Sequence, residues 1–257
     1  MAVAVAVAIA VAVAVAVAVA VGVAVGVAVA VTGLALLVPT LHRLLPAGTF
    51  TARPMLGGAI SVRALAFGAF AIIETYMVFA LKEFGGVSTS TAGLVLTLGS
   101  LTWTSGSLLQ ARLDRRLGPG SRPGRIRAGV SIMILGVLII IGQVAIYRDI
   151  WLLPAAAGWV TAGLGIGLTY PTATSVAFAS APPGQDGLVS SSTLLGDLFT
   201  ASVGVGLGGV LLAFGTGQGW NAPASTALAM ALGVAVLVAA WLAAQRLARA
   251  RTATAAR

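Results

Sequence analysis

Cysteine is absent from this chain of 257 residues, and histidine occurs once, as His42. Without cysteine there is no disulfide framework and no thiolate metal site. One histidine cannot form a His-Glu-x-x-His metal motif, and the Gly-x-Ser-x-Gly turn of a serine hydrolase is also missing. These absences argue against an enzyme, and we expect no metal and no cofactor. His42 is most simply a polar residue that flanks an apolar stretch.

Charged residues are also scarce, at 8% of the chain, while hydrophobic residues make up 59%. A soluble protein of this composition would have too little polar surface to cover it, so the composition predicts an integral membrane protein whose partner is the lipid bilayer. The net charge of +9 does not indicate nucleic acid, because the basic residues are spread over three short loops with no polar domain to dock a duplex. We expect these arginines to orient the protein and to contact anionic lipid head groups.

Long apolar stretches recur along the whole chain. A helix needs about 20 apolar residues to cross a hydrocarbon core about 30 Å thick. Seven stretches meet this length, so we predict an all-α fold of about seven transmembrane helices. They run approximately over residues 12–38, 62–82, 91–111, 128–147, 151–179, 188–214 and 223–245. Glycine- and proline-rich turns separate them, and no gap is long enough for a soluble domain.

The first stretch is of low complexity, because residues 2–31 are almost wholly alternating alanine and valine. In water such a strand pattern would be an aggregation hazard, whereas in lipid it forms a featureless helix. A helix of this length extends about 45–50 Å, too long for one upright crossing and too short for two. We therefore expect one span with an overhanging start. A signal peptide is disfavoured, since the start carries no charge and no cleavage region follows.

The basic residues alternate between the gaps. Thirteen of the fifteen lie in every second gap, and only Lys82 and Arg148 lie in the others. Loops rich in arginine and lysine remain in the cytoplasm, so this asymmetry predicts a cytoplasmic carboxyl terminus. We expect the protein in the plasma membrane. The predicted organisation is a transmembrane helix at 1–38, a cytoplasmic basic linker at 39–61, a six-helix transmembrane bundle at 62–245 and a cytoplasmic basic tail at 246–257.

Two spans contain an acidic residue, Glu74 in the second and Asp197 in the sixth. Each lies about 15–16 Å past a predicted cytoplasmic boundary, near the middle of the bilayer. The sequence places no Lys or Arg at that depth, so we expect neither carboxylate to have an ion-pair partner and both to tend toward the protonated form. Ionisable residues are costly there and usually face a cavity, which makes both candidates for proton coupling. The alternative is a carboxyl group that hydrogen-bonds a neighbouring helix and never titrates.

Polar content divides the spans into two kinds. The first, fourth and seventh are nearly pure aliphatic and are predicted to face lipid, whereas the others carry polar and aromatic residues suited to a cavity wall. The candidate wall residues are Tyr76, Trp103, Ser105, Gln110, Thr169, Tyr170 and Thr200. Each also has an ordinary alternative, because Trp and Tyr often belong to interfacial belts and Ser and Thr often bond their own helix.

Glycines four residues apart indicate helix contacts. Gly163 and Gly167 in the fifth span, and Gly204 and Gly208 in the sixth, are predicted to let neighbouring backbones approach closely. Pro171 lacks a backbone donor and is predicted to bend the fifth span.

Several motifs occur in a recognisable order. They are the basic linker at 43–50, the span containing Glu74, the Ala-Gly-Leu at 92–94, the glycine-rich run at 163–171, and the Ala-Pro-Pro-Gly at 181–184 followed by Asp197. Their order and spacing over residues 40–245 resemble the carboxyl-terminal half of a major facilitator superfamily transporter of the drug and proton antiporter-like kind. The loop at 112–118 resembles a degenerate copy of the family's cytoplasmic Asp-Arg motif, with Asp114 displaced by one position. Its motif residues are Asp114, Arg115, Arg116 and Gly118.

The resemblance implies a transporter of twelve helices in two related halves, with Glu74 in a cavity-lining helix and Asp197 in a helix that flanks the opposite half. The expected function is secondary active transport, the proton-coupled efflux of small organic molecules, with protons and a small-molecule substrate as partners. Since only one half is recognisable, we expect a truncated half that pairs with a missing amino-terminal half or with a second copy. The alternative is a non-transporting membrane remnant or scaffold that pairs with another transporter half.

Overall fold

Six long helices follow one another along the part of the chain that the computed structural model describes. That part comprises residues 45–52, 55–147 and 150–255, with single positions at 32, 33, 35 and 39, and no strand occurs within it. The helices are α1 (Leu56–Glu83), α2 (Thr89–Leu117), α3 (Arg122–Gly142), α4 (Leu152–Ala179), α5 (Asp186–Gly217) and α6 (Ala222–Ala255). The span predicted at 12–38 lies outside the described residues apart from those single positions, as do His42, Arg43 and Arg148.

All six helices are long and apolar enough to cross a bilayer. Residues Pro46–Arg257 form one compact unit. The described chain is therefore an all-α, multi-pass membrane fold. A single π-helical turn, Gln143–Tyr147, continues α3, and the Gln143 side chain accepts a hydrogen bond from the Trp151 backbone N–H at 2.8 Å. This contact closes the connection from α3 to α4.

Most of the helices extend beyond the predicted apolar spans, and two of them reach into the predicted linker and tail. Helix α1 begins at Leu56, inside the predicted linker 39–61, and α6 continues through the predicted tail as far as Ala255. Hydropathy identifies only the apolar segment that can lie in the hydrocarbon core. The helix itself continues as long as its backbone N–H and C=O groups can form hydrogen bonds. As a result Arg63, which stands at the very edge of the predicted span 62–82, lies in the second turn of α1.

The helices pack in a pattern that repeats after three helices. Helix α1 packs mainly against α5 and α6, α4 packs mainly against α2 and α3, α1 contacts α4, and α3 contacts α6. Exchanging α1–α3 with α4–α6 reproduces these pairings, although α5 also packs against α6 whereas α2 and α3 barely touch. Because each group contains an odd number of crossings, the two groups run in opposite directions through the membrane, as inverted repeats do. Helices α1 and α4 are central, and α2 and α5 bury the least surface.

Glycines form the closest contacts in this bundle. Gly163 and Gly167 of α4 lie against α2, where a Cβ at Gly167 would come within 2.9 Å of the Gly106 Cα. Gly204 and Gly208 of α5 lie against α1, at Ile72 and Tyr76 respectively. Pro171 lies inside α4, which continues to Ala179.

One end of the bundle carries most of the charge, and we refer to it as the basic end. The start of α1, the α2–α3 and α4–α5 connections and the end of α6 lie there. Its exposed arginines are Arg112, Arg115, Arg116, Arg127, Arg246 and Arg249. The opposite end carries Lys82 and Glu83 among the described residues.

The two aliphatic helices have one packed side each. Helices α3 and α6, predicted to face lipid, pack against each other and against α4 and α1. Their other sides expose large apolar side chains, including Leu135 and Leu138 of α3 and Val238 and Leu242 of α6.

Candidate functional site

An ion pair joins three helices inside the bundle. The Arg63 guanidinium of α1 donates to the Asp197 carboxylate of α5 across 2.9 Å, and the two side chains are 12% and 4% exposed. The Tyr170 hydroxyl of α4 donates to the same Asp197 oxygen at 2.7 Å and accepts a hydrogen bond from Arg63. Arg63 also donates to the Thr174 hydroxyl at 3.1 Å, and its Cζ lies 4.1 Å from the centre of the Tyr170 ring. We call Arg63, Tyr170 and Asp197 the polar cluster.

The close approach of α1 and α5 next to the polar cluster depends on small residues. The Thr200 hydroxyl of α5 donates to the Ala64 carbonyl of α1 at 2.6 Å. A Cβ at Gly68 would lie 2.7 Å from the Thr200 Cβ, so only glycine leaves room for that side chain. Since Ala64 follows Arg63 directly, this contact helps to hold Arg63 against Asp197.

The prediction that neither acid has an ion-pair partner is wrong for Asp197. Arg63 is only seven residues into α1, or about 10 Å along the helix, and Asp197 is about 16 Å along α5. The long arginine side chain covers the difference, because its charged head can extend well away from its Cα atom. Sequence reasoning missed Arg63 because it counted this residue, at the edge of the predicted span 62–82, among the basic residues of the preceding gap.

Two buried polar atoms of the polar cluster have no hydrogen bond within the described part of the chain. Asp197 Oδ1 and Arg63 Nε are buried, and neither has a hydrogen-bond partner among the described residues. A buried ion pair is stabilising only when its remaining polar atoms are also paired. A proton, a cation or a hydrogen-bonding group that reached Asp197 would therefore compete effectively with Arg63.

Aromatic rings form a wall beside the polar cluster. The Trp103 ring of α2 lies 5.5 Å from the Tyr170 ring and 6.4 Å from Phe67 of α1. Deeper in the bundle, Phe70 stacks on Trp159 with centroids 4.2 Å apart. Phe67, Trp103 and Tyr170 remain partly exposed, whereas Phe70 and Trp159 are buried. The exposed members could contact the flat apolar part of an organic molecule.

Glu74 lies on the same face of α1 as Arg63. Eleven residues correspond to almost exactly three helical turns, so Glu74 is about 16 Å from Arg63 along one side of the helix, with Phe67 between them. The side chain is half-buried, and within the described ranges no hydrogen bond or ion pair reaches its carboxylate. The two acids therefore differ, because Asp197 has an ion-pair partner and the Glu74 carboxylate has none among the described residues.

Hydroxyl groups line the exposed side of α2 near Trp103. The side chains of Thr97, Ser100 and Thr104 are exposed, and each donates to a carbonyl one turn back on α2, at 2.9, 3.2 and 3.0 Å respectively. Their oxygen atoms can still accept hydrogen bonds. Such a polar stripe on a span fits a water-filled cavity better than lipid tails.

Other predicted wall residues lie elsewhere. The Tyr76 hydroxyl donates to the Val205 carbonyl at 2.6 Å in the α1–α5 contact. Thr169 is fully buried and donates to the Gly165 carbonyl. Gln110 is buried near the basic end, where its backbone carbonyl accepts a hydrogen bond from the Arg125 guanidinium. Of the predicted wall set, Trp103 and Tyr170 adjoin the polar cluster, Thr200 packs beside it, and Ser105 is exposed on α2.

The predicted loop motif forms a second ion-pair group, at the basic end. Asp114 accepts two hydrogen bonds from Arg122, at 2.9 and 2.7 Å, and a third from Arg125. Arg115 and Arg116 are exposed and take no part in it. Gly118 ends α2 with a φ of 67°, a conformation that favours glycine. Sequence reasoning missed Arg122 and Arg125, which follow the loop and lie on α3.

Neither a family model nor a curated protein sequence matches this chain. Among the described residues, no group of three histidine or acidic side chains could hold a metal ion.

Replacing Tyr170 by phenylalanine should destabilise the bundle more than the same change at Tyr76. Tyr170→Phe removes a hydroxyl that bonds two charged groups, which is expected to cost about 1.5–3 kcal/mol. Tyr76→Phe removes one neutral interhelical hydrogen bond, expected to cost about 0.6 kcal/mol. Unfolding of the purified variants in a detergent titration measures both. Equal losses would mean that the Tyr170 hydroxyl does not bridge the ion pair.

Proposed function

We propose that this chain is one six-helix half of a secondary active transporter, resembling the major facilitator superfamily, that exchanges protons for small organic molecules. The observation that carries the proposal is the polar cluster, which is buried within membrane-spanning helices beside a partly exposed aromatic wall. Buried ionisable groups in spans are costly and mark ion or substrate pathways. The inverted pairing of α1–α3 with α4–α6 supports the same class.

The proposed path runs along the side of the bundle that α2 and α5 flank. These two helices have the smallest share of buried residues. The hydroxyl stripe of α2 would let water enter on that side. In a carrier of this class a second bundle closes the cavity, and alternating access rocks one bundle against the other. The second bundle would be a separate half or a second copy, and α2 and α5 are the surface it would meet.

Glu74 and Asp197 take different roles in the proposed mechanism. Glu74 has no competing partner, so it would carry the exchanged proton. Asp197 holds Arg63 and Tyr170, so its ion pair would keep α1, α4 and α5 in one arrangement. Protonation of Asp197 would release the guanidinium and let these helices rearrange. The basic end would face the cytoplasm, because arginine-rich ends remain there.

Reconstituted vesicles test the transport function. We expect the wild-type chain, alone or together with an added second bundle, to move a fluorescent aromatic compound when a pH gradient is imposed. Glu74→Gln should abolish the response to the gradient, because an amide carries no exchangeable acidic proton. Glu83→Gln is the matched control, since Glu83 is an exposed acid at the end of the same helix.

Two results would contradict this assignment. Proton-coupled transport that survives Glu74→Gln unchanged would remove Glu74 from the mechanism. A chain that binds a second bundle but never responds to the gradient would favour the scaffold function instead.

A further inference from the structure

A cleft at the basic end is separate from the polar cluster. It lies where the start of α1, the start of α3, the end of α4 and the end of α6 meet. Its polar lining residues are Arg122 and Ser180, and the rest of its wall is apolar and includes Met55, Ile126, Ala179 and Leu247. The cleft therefore combines one cationic group with an apolar surface.

The charge beside this cleft is not balanced. Two guanidinium groups, of Arg122 and Arg125, share the single carboxylate of Asp114, which leaves one positive charge in excess. Arg122 uses Nε and Nη2 for Asp114, and its Nη1 makes no hydrogen bond to the described residues. A guanidinium with a remaining donor is well suited to a phosphate oxygen.

The cleft lies at the level of the helix ends. Met55 precedes α1, Arg122 is the first residue of α3, and Ser180 follows the last residue of α4. The ends of membrane-spanning helices lie near the lipid head groups. Met55 is 48% exposed while Leu247 is buried, so the apolar wall runs from the surface of the bundle inward.

We propose that this cleft binds one anionic phospholipid, with its phosphate on Arg122 and its acyl chain against Met55, Ile126 and Leu247. The excess positive charge selects an anionic head group over a zwitterionic one. The apolar wall selects a lipid over a free phosphate ion, because a small anion would leave that wall uncovered. The bound lipid joins four helix ends at the point where Asp114 connects α2 to α3. This site does not depend on the transport function.

Native mass spectrometry of the purified full-length chain tests the proposal. The probes are dioleoyl phosphatidylglycerol, which is anionic, and dioleoyl phosphatidylcholine, which is zwitterionic. The wild type should retain one tightly bound phosphatidylglycerol and bind phosphatidylcholine about tenfold or more weakly. Arg122→Gln should weaken phosphatidylglycerol binding about tenfold or more, because it removes the charge-assisted hydrogen bond.

A second variant leaves the ion pairs intact. Ala179→Trp fills the cleft from an exposed position on α4 and should weaken phosphatidylglycerol binding to a similar degree. Arg115→Gln removes an exposed arginine from the same end, and Ala157→Trp adds a ring to an exposed site elsewhere on α4. Both controls should bind phosphatidylglycerol as the wild type does.

Three outcomes would overturn the lipid site. The first is equal binding of the two lipids by the wild type. The second is a loss in Arg115→Gln as large as in Arg122→Gln, which would indicate general attraction to the basic end. The third is displacement of phosphatidylglycerol by glycerol phosphate at equal concentration, which would indicate an anion site without a role for the acyl chain.

Discussion

Asp197→Ala should destabilise the protein by about 3–5 kcal/mol, because it leaves the Arg63 guanidinium buried without its counter-ion. The penalty for an unpaired charge in a poorly solvated interior exceeds the value of the original pair, so the loss should be much larger than that of an ordinary surface change. Arg63 is 12% exposed and Asp197 is 4% exposed, so both groups are largely shielded from solvent. Reversible unfolding in mixed detergent measures the difference between variant and wild type.

A double variant separates the ion pair from the packing. Arg63→Met combined with Asp197→Leu removes both charges and keeps apolar volume, so it should recover most of the stability lost in Asp197→Ala. Asp186→Ala is the matched control, since Asp186 is an exposed acid in the first turn of the same helix. Its removal should cost about 0.3–1 kcal/mol, through the lost interaction with the helix dipole. A double variant no more stable than Asp197→Ala would show that the two residues do not form a pair in the membrane.

The number and place of the described helices follow from hydropathy alone. Each of the six predicted spans from 62–82 to 223–245 overlaps one helix, and the glycine- and proline-rich turns fall between helices. This part of the prediction is confirmed because a helix that crosses lipid must be apolar over its whole width. The first predicted span, 12–38, falls almost entirely on residues that the structure does not describe.

The polar cluster could not be derived from the sequence in the same way. Arg63 and Asp197 are more than a hundred positions apart in the chain, so their pairing depends on how α1 packs against α5. Hydropathy also gave no role to Arg63, because a charged residue at the edge of an apolar span is usually counted with the adjoining loop. Helical spacing carries a signal that hydropathy does not, because Arg63, Phe67 and Glu74 recur on one face of α1. That spacing places a cation, an aromatic ring and an acid in line along the helix.

The same limit applies to the loop motif at the basic end. The sequence predicts a role for Asp114 with its neighbours Arg115 and Arg116, whereas the partners are Arg122 and Arg125. Residues adjacent on a helix point in different directions, so Arg115 and Arg116 are exposed while Asp114 is directed towards α3. The Gly118 turn reverses the chain and brings Arg122 back to Asp114.

Gly167→Ala should be strongly destabilising although it adds only one methyl group. The new Cβ would overlap the Trp103 carbonyl and come within 2.9 Å of the Gly106 Cα and 3.0 Å of the Ser107 nitrogen. All three are backbone atoms of α2, so no side chain can rotate away and the two helices must move apart. Overpacking of this kind costs about 1–3 kcal/mol or more. Separation of α2 from α4 would also displace Trp103 from Tyr170, so tryptophan fluorescence should change together with stability.

Gly206→Ala is the matched control for that prediction. Gly206 lies in α5, and a Cβ there would meet nothing within 4 Å. The change should leave stability unaltered or raise it by up to about 1 kcal/mol, because alanine is the better helix former. The contrast between two identical substitutions isolates the helix contact from helix propensity. If Gly167→Ala and Gly206→Ala had the same effect, α2 and α4 would not be in backbone contact, and the aromatic wall of the proposed cavity would lose the support that holds Trp103 beside the polar cluster.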